Sequence, residues 1–123
     1  MGSTEFSDDA VVPLSADEAE RRRHLRVPVA LVVKLKFSSV GQFLESHASD
    51  ISRGGMFIRG EQASVGQTLI VQFDAGSERL VEGTARVVRL VPEAGIGVEF
   101  IDMDELSAEL IAAVVERTLL LPG

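Results

Sequence analysis

The chain has no cysteine, no tryptophan and no tyrosine, and its six aromatic residues are all phenylalanine. Without cysteine there are no disulfides and no thiolate chemistry. A cytoplasmic protein is the simplest reading. The two histidines, His24 and His47, stand far apart, and no ligand spacing surrounds them, so no metal site is expected. No apolar run approaches the roughly 18 residues of a membrane span. The N-terminus lacks the basic start and apolar stretch of a signal peptide. Basic charge is outnumbered: 12 Lys and Arg stand against 19 Asp and Glu, a net charge of −7. This argues against binding to a nucleic acid polymer, and a small RNA-binding barrel would need an aromatic stacking platform that the sequence does not offer. A discrete anionic ligand stays open, because phosphate recognition depends on local guanidiniums in a fork geometry and not on net charge.

Two clusters stand out. The first is Arg21-Arg22-Arg23-His24-Leu25-Arg26, four guanidiniums in six residues of an acidic chain. It reads either as a solvated charge run or as an anion clamp. The second is Asp50-Ile51-Ser52-Arg53-Gly54-Gly55, followed at once by the apolar Met56-Phe57-Ile58. Asp-x-Ser is ordinary turn chemistry, since both side chains can cap backbone groups. Glycine pairs beside strands also mark bulges and close backbone approach, which would hold a polar cluster in a fixed direction.

Val27 to Phe37 alternates with period two and reads as a strand. A turn at Ser38-Ser39-Val40-Gly41 follows, then a weaker strand from Gln42 to Asp50. Met56–Arg59, Thr68–Phe73, Leu80–Val91 and Ile96–Ile101 complete the set, with Asp74-Ala75-Gly76-Ser77 as a turn and Pro92-Glu93-Ala94-Gly95 as a loop. Six strands joined by short turns predict an antiparallel barrel. From Asp102 to Leu121 the apolar residues take helical spacing, with Asp102 or Asp104 as cap. The breadth of its apolar surface fits a helix buried on the barrel, or one with a second face for self-association. Upstream, Ser15 and Glu18 form a capping-box pattern for a short helix over Ala16–Arg22. Residues 1–6 can be partly a cloning remnant and are set aside.

In order, the clusters read Arg21-Arg22-x-x-x-Arg26, then Asp50-x-Ser52-x-x-Gly55. Together with the late run Gly95-Ile96-Gly97-Val98-Glu99-Phe100 and a closing helix, this resembles the PilZ domain family, whose members bind the bacterial second messenger cyclic di-GMP. The resemblance runs from about Glu20 to the C-terminus. Residues 1–19, polar and rich in small residues, are expected to form a flexible segment; the resemblance implies an arginine arm over 20–26, a six-stranded PilZ-type barrel over 27–101 and a C-terminal helix over 102–121. It also implies a ligand clamp of Arg21, Arg22 and Arg26, joined by Arg23, and a platform of Asp50, Ser52 and Gly55 that reads guanine. In the family, an arginine in the position of Arg21 is associated with a stacked pair of ligand molecules. No output domain fits this length, so the resemblance implies a stand-alone adapter acting on an unidentified protein partner. The competing expectation is an interaction module of the same fold that has lost the nucleotide and works through its helix. An enzyme is not expected. His24, Ser52 and Asp50 supply the residue types of a triad, but without a nucleophile elbow or an oxyanion glycine pattern.

Overall fold

The computed structural model describes residues 25–38, 41–76 and 79–120. The helix expected over Ala16–Arg22, the side chains of Arg21, Arg22, Arg23 and His24, parts of the two turns at 39–40 and 77–78, and Leu121 lie outside the described residues.

Six strands form the body: β1 (Val27–Phe37), β2 (Leu44–Ile51), β3 (Gly55–Arg59), β4 (Thr68–Asp74), β5 (Leu80–Val91) and β6 (Gly95–Met103). One helix, α1 (Glu105–Leu120), follows. The strands close into a barrel in the order β1-β2-β3-β6-β5-β4, and every neighbouring pair is antiparallel. The alternation read in β1 is the inward–outward pleat: Val27, Val33, Leu35 and Phe37 are buried, while Pro28, Ala30, Val32 and Lys34 are exposed. Pro28 cannot donate to a ladder. It sits where the β1–β2 register slips between Pro28 and Leu31, a place where the missing donor is tolerated.

β6 is longer at both ends than its pattern predicts. Gly95, expected in a loop, pairs with both Arg59 and Val91. Asp102, expected to open the helix, pairs with Thr84, and Met103 pairs with Gly83. The long partner β5 supplies ladder positions that prolong β6 until Asp104 turns the chain. Asp104 Oδ1 then accepts the Ser107 backbone N–H at 2.7 Å, capping α1. That N–H, with further help from Arg79, holds the Asp104 carboxyl below the usual carboxylate range. β2 opens at Leu44, two residues later than its sequence pattern implied.

The barrel interior is aliphatic. Leu35, Ile51, Met56, Ile58, Val71, Val81, Val87 and Ile96 are fully buried, each contributing about 1.5–3 kcal/mol of transfer free energy. Helix α1 packs on β5 and β1 and buries Ile111, Val114 and Val115 in the same core. Its outer side leaves Leu106, Leu119 and Leu120 exposed.

Between β5 and β6 the chain turns through Pro92-Glu93, with the Ala94 N–H donating to the Val91 carbonyl at 3.0 Å. Proline second and a positive φ third is the pattern of a type II turn, which favours glycine or asparagine in third place. Here that residue is Glu93, at φ 67°. A left-handed conformation costs an ordinary side chain about 1–2 kcal/mol. We therefore expect Glu93→Asn to stabilise the fold by about 1 kcal/mol. Thermal unfolding checks this, and an unchanged or lower midpoint would refute the assigned strain.

Candidate functional site

The two sequence clusters meet because of the β1–β2 register. Val27 pairs with Ile51 and Pro28 with Asp50, so the residue preceding β1 is carried alongside the end of β2. There Arg26 Nη1 donates to Asp50 Oδ1 at 2.6 Å, an ion pair with 41% and 31% of the two side chains exposed. The bond is charge-assisted and short, but its exposure limits its worth to roughly 0–1 kcal/mol of stability. Asp50 therefore does not cap its own turn; it orients an arginine. A carboxylate has about four lone-pair sites, and Oδ2 has no hydrogen-bond partner among the described residues.

Ser52 takes the opposite role. It is 1% exposed. Its Oγ accepts the backbone N–H groups of Gly54 at 3.2 Å and Gly55 at 3.1 Å and donates to the Gly55 carbonyl at 3.3 Å. A hydroxyl has one donor and two acceptor sites, so its capacity is spent inside the turn. The Ser52 N–H also donates to the Gly55 carbonyl at 2.8 Å. Of the two capping side chains that the sequence offered, only the serine caps.

Gly55 is fixed by close approach to β6. A Cβ there would stand 2.1 Å from the Val98 carbonyl oxygen. Gly95, at the other end of the β3–β6 pairing, has the same relation to the Ile58 carbonyl, also at 2.1 Å. The Phe100 N–H reaches back to the Gly54 carbonyl at 2.8 Å. The turn is thus pinned flat against β6, with no side chain rising from either glycine.

Over this flat turn lies an open cleft of about 200 Å³, lined by Arg26, Ser52, Gly54, Gly55, Val88, Val98 and Glu99. It is small for a whole dinucleotide, since ligand pockets run about 300–1,000 Å³. A larger groove of about 670 Å³ lies where β5 and β6 meet the start of α1, but Glu82, Asp102 and Asp104 line it with Arg79. Its carboxylates would repel phosphate. Arg53, between the motif residues, turns away from the cleft and pairs with Glu116 of α1 at 2.7 Å. The platform and the last turns of the helix therefore share one end of the barrel. Among the described residues no group of three or more His, Asp or Glu side chains is placed to hold a metal ion. No described helix is long and apolar enough to cross a membrane.

The structure thus brings together Arg26, Asp50, Ser52 and Gly55 from the sequence-predicted set. Arg21, Arg22 and Arg23 lie outside the described residues. Val88, Val98 and Glu99 were not foreseen as lining the cleft. Glu99 belongs to a run that sequence reading singled out, but nothing in that run tells which strand will lie beside it.

Comparison with known proteins agrees with this architecture. The family model of the PilZ domain matches residues 20–117. No curated protein matches the chain. Among solved structures, the Bacillus subtilis inhibitor of motility (MotI/DgrA) is similar over 80% of this chain, with TM-score 0.66 and 21% identity. This chain covers 52% of that protein, about half its length. The PilZ domain of YcgR from Escherichia coli, solved with c-di-GMP, matches 80% of this chain and 92% of its own, with TM-score 0.62 and 14% identity. The Borreliella burgdorferi PlzA protein, in complex with c-di-GMP, matches 78% of this chain and 41% of its own, with TM-score 0.56 and 19% identity. At these identities the solved structures speak for the fold. With the family model spanning most of the sequence and the six-stranded barrel closed by a C-terminal helix, the chain belongs to the PilZ domain family.

Proposed function

We propose that this protein is a non-catalytic cyclic di-GMP receptor whose ligand-binding domain spans residues 20–123 and which acts in the cytoplasm as an adapter for a protein partner. The observation that carries the reading is the cleft itself: Arg26, oriented by Asp50, stands over a glycine floor free of side chains. Cyclic di-GMP has two phosphates and two guanines. Arginine pairs bidentately with phosphate and with guanine O6/N7, and it stacks on flat rings. In this reading Arg21, Arg22, Arg23 and Arg26 form the clamp, and the free edge of Asp50 accepts from a guanine N–H. Ser52 holds the turn, and Gly55 keeps the floor low. The cleft alone takes little more than one base, so the arm supplies the rest of the enclosure and its ordering is the signal. Catalysis is not part of the reading, because the Ser52 hydroxyl is committed to its turn.

Calorimetry with cyclic di-GMP, set against GTP and cyclic di-AMP, tests this. The expected result is saturable binding of cyclic di-GMP alone, with a large favourable enthalpy offset by the entropy of ordering the arm. Arg21 adds a guanidinium for a second, stacked ligand, so two molecules per chain are expected, falling to one in Arg21→Leu. No heat with any of the three would favour the second reading, an interaction module working through α1. That reading rests on the exposed Leu106, Leu119 and Leu120, a surface suited to self-association or to a partner helix.

A further inference from the structure

Glu99 lines the cleft from β6, and its surroundings leave its carboxylate ready for a ligand. In the β3–β6 ladder it is paired with Gly55, which places no side chain over it. In the β5–β6 ladder it is paired with Arg86. The Arg86 Nη2 to Glu99 Oε1 distance is 3.8 Å, longer than a hydrogen bond, which for N–H···O spans about 2.7–3.2 Å. The guanidinium therefore stands near the carboxylate without using its lone pairs. Glu99 has 38% of its side chain exposed, and it lines the cleft with Arg26, Ser52, Gly54 and Gly55.

We propose that Glu99 is a specificity-determining residue that reads a guanine base in this cleft, as a second carboxylate beside Asp50. The inference rests on the cyclic di-GMP reading above. An ionised carboxylate only accepts hydrogen bonds, and its two oxygens suit two parallel donors. Guanine presents such a pair on one edge, N1–H and the 2-amino group. Adenine presents a ring nitrogen lone pair there, which a carboxylate would repel, so Glu99 both rewards guanine and penalises adenine. A base lying over Gly54 and Gly55 would share the cleft with both Glu99 and Arg26. With two guanines in the ligand, two carboxylates give each base an acceptor of its own.

The test is a binding series on the full chain and on Glu99→Gln and Glu99→Ala, with cyclic di-GMP, cyclic di-AMP and cyclic di-IMP, which lacks the 2-amino groups. The parent should prefer cyclic di-GMP to cyclic di-IMP. In Glu99→Gln, cyclic di-GMP should weaken by about tenfold or more, the scale of one bidentate base contact, while cyclic di-IMP weakens less, so the preference narrows. Glu99→Ala should behave alike and unfold at the parental temperature, since the side chain makes no hydrogen bond within the described fold. If the parent binds cyclic di-GMP and both variants keep its affinity and preference, the Glu99 assignment is overturned while the receptor reading stands. A parent that binds none of the three overturns both.

Discussion

Gly55→Ala should be the most damaging small substitution in the motif, costing about 3 kcal/mol or more of folding stability. The added methyl would begin 2.1 Å from the Val98 carbonyl oxygen, with the Val98 carbonyl carbon and the Glu99 Cα at 3.1 and 3.2 Å. These are backbone atoms of a paired strand, so no rotamer change relieves the contact; β3 and β6 must separate. Such a loss is a large share of the roughly 5–15 kcal/mol that holds a domain folded. It should lower the unfolding midpoint by more than about 10 °C. Gly60→Ala is the control. Gly60 has φ +79° with no heavy atom within 4 Å of an added Cβ, so only the left-handed backbone is penalised, at about 1 kcal/mol. If thermal unfolding of the two variants were indistinguishable, close approach would not be the reason for glycine at position 55.

The second large effect falls on binding. Arg26→Ala should weaken cyclic di-GMP by roughly ten- to a hundredfold, the loss of one charge-assisted contact of about 1.5–3 kcal/mol. Its folding stability should stay within about 1 kcal/mol of the parent, because the Arg26–Asp50 pair is solvent-exposed. Arg22→Ala should act in the same direction. Asp50→Ala should separate its two roles: Arg26 loses its orientation, and the guanine loses an acceptor, so discrimination against cyclic di-AMP should fall along with affinity. Calorimetry and thermal unfolding on each variant keep binding and folding apart. Parental affinity in both arginine variants would sink the clamp.

Much of the barrel was legible in the chain because one-sided burial writes itself as alternation. Val27 to Phe37 is the plainest case, and Leu80–Val91 matched to the residue. The misread ends have a common cause. Gly95 and Asp102 have turn-like or cap-like chemistry locally, and only the ladder partners Arg59, Val91 and Thr84 draw them into β6. Register slips were also hidden. The extra residues at Ser49, Val88 and Ile101 leave no compositional mark, yet one of them places Val88 at the cleft. At the site, sequence supplied Arg26, Asp50, Ser52 and Gly55 as a set. It could not divide their labour, because Asp and Ser are equally able to cap a turn. Glu99 was beyond reach: it joins the cleft only through the β3–β6 pairing, which depends on closure of the whole sheet.

That closure limits how a partner can engage the protein. Each of the six strands has a strand neighbour on both sides, so no whole strand edge is open for an extended peptide to add itself, the mode by which many small β domains capture their targets; among the described residues, Val27–Val32 of β1 is a stretch with ladder partners in β2 but none in β4. Recognition is therefore expected mainly through side chains. The candidates are the outer face of α1, with Leu106 at its start and Leu119 and Leu120 at its end, and the turn that Arg53 ties to Glu116 near the end of that helix. A partner reading that end would touch the helix and the Asp50–Gly55 turn together.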